Sequence, residues 1–188
     1  MTPELLAEEA FFIENISDEQ RKLAVQTARD VLKRIISRKK SIQVRRNYAY
    51  CEQDEGYVLD EHRGENLQKI MWDIFTPQTP CTVCARGALF LAYVDRHNKV
   101  KVPLAGHLND IAQDTSILKD AFSENQQDFI EAAFENRTYF YKVNLSSLSR
   151  FYSKHNFEDA RKLLRAVCKN IISNNGLFNP FRGFGRIE

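Results

Sequence analysis

Two cysteines with the spacing of a metal or redox site lie in the most distinctive stretch of the chain, TPCTVCARGALFLAYV at residues 79–94. A Cys-x-x-Cys pair supplies two of the four ligands of a structural zinc site, and a thiolate at the start of a helix is a candidate redox nucleophile. The sequence completes neither chemistry, because the other two cysteines and the four histidines are scattered and give no second close pair. The pattern therefore favours Cys81 and Cys84 as small apolar side chains, and we expect no bound metal and no cofactor.

A single charged residue interrupts the apolar part of this stretch. Between residues 83 and 94 only Arg86 is charged, which predicts a central helix that starts at Thr79-Pro80 and places both cysteines on one small-residue face. A buried guanidinium needs an acidic partner, and Asp110 and Glu131 are the candidates. A structural ion pair is the first interpretation. The alternative is an enzyme or small-ligand binder in which Arg86 and Asp110 lie beside a pocket.

A run of basic residues with no acid among them is the candidate for binding nucleic acid. Clustered cations bind phosphates, and Tyr48 and Tyr50 beside the run could stack on bases. The competing interpretation is a solvated helix end that leads into a hairpin, in which acidic residues between 52 and 65 face the basic ones. The residues of the run are Lys33, Arg34, Arg38, Lys39, Lys40, Arg45 and Arg46.

Three phenylalanines at intervals of three mark the end of the chain, where glycines and a proline disfavour a regular helix. Phenylalanine rings left in water would promote aggregation, so two alternatives remain. Either the rings dock on the core of their own domain, or they anchor a protein partner or a second copy of the chain. The candidate partner-binding residues are Phe178, Phe181, Arg182 and Phe184.

The elements that must position these residues are predicted to be mainly α-helical. Ser17 has the pattern of an N-cap for a helix reaching about Ser37, and two further helices are predicted at 144–154 and 157–174, the last ending at Asn175-Gly176. We expect a single compact helical domain over residues 1–176, with six to eight helices and a small extended or hairpin segment near 41–60. Residues 177–188 form a Phe-, Gly- and Arg-rich tail.

Composition excludes several classes of protein. Hydrophobic residues make up 43% and charged residues 28%, which is globular rather than disordered, and the net charge of +2 gives no global attraction to nucleic acid or membrane. The chain shows neither a signal peptide nor an apolar run long enough to cross a membrane, so a cytoplasmic location is expected. No phosphate-binding loop, dinucleotide fingerprint, nucleophile elbow or zinc-protease motif is present, and no catalytic residue is predicted.

Three segments carry a resemblance to a known family. They are the early helix with Leu23, Ala28 and Val31, the run Cys84-Ala85-Arg86-Gly87-Ala88-Leu89, and Asn109-Asp110 ahead of a helix that ends in Ile130-Glu131-Ala132-Ala133. On these residues the chain resembles a family of small, uncharacterised helical proteins of bacteria and phages. The resemblance implies a recurring helical scaffold over about residues 20–135, and the family has no assigned activity to carry over.

Three functions follow as hypotheses. The first is a non-catalytic intracellular binding or regulatory protein that acts through protein–protein contacts or as a homo-oligomer; encoded by a phage or mobile element, it could inhibit a host system. The second is a nucleic-acid-binding protein that uses the basic run. The third is the small-ligand binder or enzyme with Arg86 near a pocket.

Overall fold

The fold was obtained as a computed structural model that describes residues 12–38, 42–45, 50–51, 62–74, 77, 81–97, 100–102, 115–135, 139–140, 143–144 and 159–182. This part of the chain is mainly helical, as predicted, and contains six α-helices within the predicted range of six to eight. They are α1 (Asp18–Asp30), α2 (Leu67–Ile74), α3 (Ala85–Arg96), α4 (Thr115–Leu118), α5 (Glu124–Glu135) and α6 (Ala160–Ser173). The strands are β1 (Ile42–Val44), β2 (Tyr50–Cys51), β3 (Cys81–Val83), β4 (Tyr139–Phe140) and β5 (Val143–Asn144).

The first helix begins where its capping pattern predicts. The Ser17 side chain accepts a hydrogen bond of 3.1 Å from the backbone N–H of Gln20 and so satisfies one of the free donors of the first turn. After Asp30 the chain continues without a break into a π-helical turn, Val31–Ile35. The predicted helix is therefore present close to its full length, with its last turn widened.

The extended segment predicted near residues 41–60 is part of a small three-stranded sheet. Strand β3 lies in the middle, pairing in parallel with β1 (Val44 opposite Val83) and antiparallel with β2 (Cys51 opposite Cys81). The prediction of an extended segment is therefore confirmed for β1 and β2, which pair with β3 and not with each other, and the rest of 41–60, Arg45 apart, lies outside the described residues. All three residues of β3 are buried, so this apolar segment gains most from the central position.

The predicted start of the central helix is wrong. Residues 81–83 are extended, Cys84 is the N-cap, and α3 begins at Ala85. The Cys84 sulfur accepts a hydrogen bond of 3.4 Å from the backbone N–H of Gly87. Cys81 and Cys84 thus belong to a strand and a helix cap, and they do not share a helix face. The helix is otherwise central as expected, because every residue of 87–95 is buried.

Four helices close a ring around the core. Helix α1 contacts α3 and α6, and α5 contacts the same two helices, so that α3 and α6 lie opposite each other. The short α2 and α4 pack on α3. Helix α6 presents its predicted apolar stripe to the inside of the ring, with Leu163, Leu164, Val167, Cys168 and Ile171 fully buried.

Two other predicted helices, at 144–154 and 157–174, begin at or near residues that the structure does not describe. Asn144 lies in β5, where it pairs with Tyr139 of β4, so the helix predicted for 144–154 does not start there. The rest of that helix lies outside the described residues. Helix α6 begins at Ala160 instead of 157 because Asp159 caps it, accepting 2.8 Å from the backbone N–H of Arg161.

The end of α6 is fixed by a glycine against the start of α1. Asn175 and Gly176 have φ of 52° and 98°, and the Gly176 N–H donates to the Ile171 carbonyl at 2.8 Å, a left-handed helix termination. A Cβ at Gly176 would lie 2.9 Å from both Cα and O of Arg21. Because both neighbours are backbone atoms, a side chain at position 176 cannot be accommodated by a change of rotamer.

We expect Gly176→Ala to lower the free energy of unfolding by about 2–3 kcal/mol, combining left-handed strain with a backbone clash. Gly64→Ala is the matched control, since Gly64 also has a positive φ (74°) but no atom within 4 Å of the added Cβ. That variant should lose only about 1–2 kcal/mol. Urea unfolding followed by circular dichroism measures both losses, and equal losses would contradict the close approach of α6 to α1.

Candidate functional site

Three of the four cysteines lie in the core, and burial raises the pKa of two of them. Cys81, Cys84 and Cys168 are free thiols in the core. Burial raises the pKa of the Cys84 thiol, and the hydrogen bond from Gly87 only partly offsets this; burial alone raises the pKa of Cys168. A raised pKa removes the thiolate on which redox and metal chemistry depend. Within the described ranges no three His, Cys, Asp or Glu side chains come together in a group that could hold a metal ion.

Arg86 pairs with Glu131, one of its two predicted partners. Its Nη1 donates to Oε2 of Glu131 at 3.3 Å, and the two side chains are 12% and 15% exposed. The pair joins α3 to the neighbouring helix α5. Asp128, one turn earlier on α5, has a raised pKa because it is partly buried, although Arg86 acts in the opposite direction. The other candidate, Asp110, lies outside the described residues. The contact with Glu131 is that of a structural ion pair.

The basic run predicted for nucleic acid is divided by contacts within the chain. Arg34 Nη1 donates to Asp95 Oδ2 at 2.6 Å, and the Arg38 guanidinium lies 3.8 Å from the centre of the Trp72 ring. Arg45 donates to the Gln43 side chain at 3.0 Å, while Lys33 is exposed. Lys39, Lys40 and Arg46 lie outside the described residues. The acids that face Arg34 are Asp30 and Asp95, from α1 and α3, and the acidic residues from 52 to 61 lie outside the described residues.

Two buried carboxylates organise the arginines between α1 and α3. Asp30 accepts from Arg96, at 2.5 Å from Nε and 3.1 Å from Nη2. Asp95 accepts from Arg34, from Trp72 Nε1 at 2.7 Å and from Gln68 Nε2 at 3.3 Å. Burial raises the pKa of Asp95, but the three hydrogen bonds outweigh burial and hold it below its usual value. Donors from within the chain occupy both carboxylates, so the network holds α1, α2 and α3 together.

The C-terminal segment, residues 177–182, packs on its own domain. Phe178 is fully buried, its ring lies 6.5 Å from that of Phe12, and its N–H donates to Gln126 Oε1 at 2.7 Å. The ring of the partly buried Phe181 is 5.9 Å from Phe12. Of the two alternatives for the phenylalanines, docking on the core holds for Phe178 and Phe181. Phe184 lies outside the described residues.

A buried asparagine holds this segment in place. The Asn170 side chain on α6 donates to the carbonyls of Asn179 and Arg182 at 2.8 and 2.7 Å, and its oxygen accepts from the Asn179 N–H at 2.8 Å. Asn174, one turn later, also donates to the Arg182 carbonyl at 3.0 Å. Asn170 is a polar residue next to the apolar stripe of α6, which indicates from the sequence that its side chain makes a buried hydrogen bond. The sequence does not show which residue is the partner.

The structure also groups surface cations of which sequence analysis identified only Lys33. Helix α6 has four basic residues and no acidic one. Its exposed side carries Lys162 and Arg165, with the partly exposed Lys169 next in the row. The exposed side of α1 and its π turn carries a second row: Lys22, Arg29 and Lys33.

The two rows lie side by side because α1 and α6 are antiparallel neighbours. At one end, Arg161 of α6 donates to the carbonyls of Ile36 and Ile42, just beyond the π turn. At the other end, Gly176 lies against the backbone of Arg21. Arg165 follows Arg161 by one turn, and Lys22 follows Arg21 directly, so these two members of the rows lie beside the contact between the helices. We call the six residues of the two rows the basic face.

The basic face has acidic residues only at its ends, as far as the described residues show. Asp18 and Glu19 lie in the first turn of α1, and Asp159 caps α6. Burial is the main cause that lowers the pKa of Arg161, the neighbouring Arg165 adds to it, and Asp159 acts in the opposite direction. The clustering arises from the fold, since residues near 29 and 165 are far apart in the sequence.

Comparison of the chain with protein-family models, with curated proteins and with solved structures finds no match. The resemblance based on the Cys84–Leu89 run and on Asn109-Asp110 therefore stays a prediction. None of the helices in the described part of the chain combines the length and the apolar character needed to cross a membrane.

Proposed function

We propose that the protein binds nucleic acid and that the basic face contacts the phosphate backbone. The observation that carries the proposal is the pair of cation rows on the neighbouring helices α1 and α6, between which the described residues place no exposed acidic side chain. Binding of this kind releases counterions from the phosphates, so affinity depends on the number of cations in contact and falls as salt increases.

The described residues give the other two hypotheses less support, and Phe184 and Asp110, on which they also rest, lie outside those residues. The protein–protein hypothesis depended on accessible phenylalanines, and Phe178 is enclosed while Phe181 packs on Phe12. The ligand-binding hypothesis depended on Arg86, whose guanidinium is used by Glu131. The basic face, in contrast, consists of cations on the surface, where a large polyanion can reach them.

Neutralising one row of the basic face tests the proposal. We expect the triple variant Lys162→Gln, Arg165→Gln, Lys169→Gln to bind nucleic acid about 100- to 1,000-fold more weakly near 0.1 M salt, since three phosphate contacts account for about 2.7 units of the logarithmic salt slope. Fluorescence anisotropy with labelled DNA over about 50–200 mM salt measures both the affinity and the slope.

The matched control removes the same charge elsewhere. Lys69→Gln, Lys101→Gln, Lys119→Gln neutralises three exposed lysines outside the basic face, and its affinity should stay within about threefold of the unmodified protein. Equal weakening in both triple variants would show a response to net charge alone, and failure of the unmodified protein to bind at low salt would refute the proposal. Circular dichroism verifies that each variant is folded.

A further inference from the structure

We infer that the ligand of the basic face is a double-stranded nucleic acid, bound through its two phosphate backbones with little dependence on base sequence. This inference rests on the proposed function and specifies the substrate class. It is drawn from three properties of the basic face: its lack of aromatic residues, the rigidity of the two helices that carry its cations, and the arrangement of the cations in two rows.

The helices that form the basic face contain no ring that could stack on a base. Neither residues 18–35 nor residues 160–173 include a phenylalanine, tyrosine, tryptophan or histidine. Proteins that bind single strands combine a basic groove with aromatic side chains on which successive bases stack, and each stacked base contributes substantially to affinity. A face that carries cations and no aromatic ring lacks the aromatic stacking that strengthens the binding of unpaired bases.

The cations are mounted on a rigid pair of helices. Lys22 and Lys33 are eleven residues apart along α1 and its π turn, so that row spans about 16 Å, and Lys162 and Lys169 are two turns apart on α6, so that row spans about 10 Å. The contacts of Arg161 with residues 36 and 42, and of Gly176 with Arg21, fix the two helices at both ends. A rigid array loses little conformational freedom when it binds a rigid double helix, whereas a flexible strand must be ordered first.

Two rows match two backbones. Packed helices have axes about 8–10 Å apart, and long lysine and arginine side chains extend that separation at the surface. The major groove of DNA is about 12 Å wide, so one row can follow each of the backbones that border it. A double helix also carries one phosphate per about 1.7 Å of its axis, twice the charge density of one strand. Lysine and arginine contacts to phosphates position a protein without selecting a sequence.

The test compares a labelled DNA duplex with its labelled single strand, and an RNA duplex with its single strand, by anisotropy at one salt concentration. We expect at least one duplex to bind about tenfold or more tightly than its own single strand. Two duplexes of unrelated sequence should bind equally within about threefold. Both row variants should lose duplex binding: the α6 triple variant, and Lys22→Gln, Arg29→Gln, Lys33→Gln on α1.

The outcomes separate this inference from the proposed function. Single strands that bind as tightly as duplexes, with both weakened by the α6 variant, overturn the inference and leave nucleic-acid binding standing. Duplex binding that survives loss of the α1 row overturns the two-backbone arrangement. Failure of every probe to bind overturns both. The charge-preserving variant Lys162→Arg, Arg165→Lys, Lys169→Arg should bind as the unmodified protein does, which distinguishes lost contacts from damaged folding.

Discussion

Replacing Asp95 with alanine is expected to lower the free energy of unfolding by about 3–4 kcal/mol, because buried donors lose their acceptor. The Asp95 carboxylate is enclosed between α2, α3 and the end of α1, where it accepts from Trp72, Gln68 and Arg34. Arg34 can turn to water, since its side chain is 45% exposed. The loss therefore comes chiefly from the partly buried indole N–H, because the Gln68 amide keeps its hydrogen bond of 2.9 Å to the Asp95 backbone carbonyl.

The single tryptophan of the chain reports this change directly. Trp72 is held by Asp95 on one side and covered by the Arg38 guanidinium on the other. Without the carboxylate the ring loses its fixed orientation, so its fluorescence should change in the folded variant as well as on urea unfolding. Asp73→Ala, which removes an exposed carboxylate from the same helix as Trp72, is the control and should change stability by no more than about 0.5 kcal/mol.

Acid provides a second measurement on the same carboxylate. The pKa of Asp95 is lower in the folded state than the unfolded value of about 3.9, so its charge stabilises the fold above that value, and this stabilisation is lost as pH falls through the lower folded pKa. The stability difference between the unmodified protein and Asp95→Asn should therefore be constant at neutral pH and shrink below pH about 4. A difference that grows on acidification, or an Asp95→Ala loss under about 1 kcal/mol, would contradict the network.

Local signals in the sequence predicted the helices well. Ser17 and Asn175-Gly176 mark helix ends because their chemistry acts on the nearest backbone, and the stripe of α6 shows which side is buried. Strand β3 was missed because three residues are too few to show a period. Its extended conformation is set by partners on both sides, β1 and β2, that come from a distant part of the chain.

The candidate site was less accessible to sequence analysis than the fold. The run 33–46 is continuous in sequence, yet the contacts of Arg34 and Arg38 are made by Asp95 and Trp72, more than thirty residues away. The basic face is the reverse case, since its rows are separate in sequence and meet only because α1 and α6 pack antiparallel. Glu131 could be proposed for Arg86 from charge alone, but choosing it over Asp110 required the packing of α5 on α3.

Replacing Phe178 with alanine is expected to lower the free energy of unfolding by about 3–5 kcal/mol, the loss typical of a phenylalanine removed from a core. Phe178 is fully buried, and it joins the C-terminal segment to Phe12 and, through its backbone, to Gln126 of α5. A cavity at this position would loosen contacts among α5, α6 and the segment before α1. Urea unfolding followed by circular dichroism measures the loss.

Phe181→Ala and Ile13→Ala give graded controls for the same position. Phe181 is partly buried against Phe12 and should lose about half as much as Phe178, whereas Ile13 is 56% exposed and should change stability by no more than about 0.5 kcal/mol. Deleting residues 177–188 cannot replace these variants, because the deletion removes Phe178 from the core together with any partner contact. If Phe178 were a partner-binding residue, Phe178→Ala would keep full stability while the protein changed its oligomeric mass or lost a partner. That result would reverse the assignment of Phe178 to the core, and light scattering on the folded variant measures the mass.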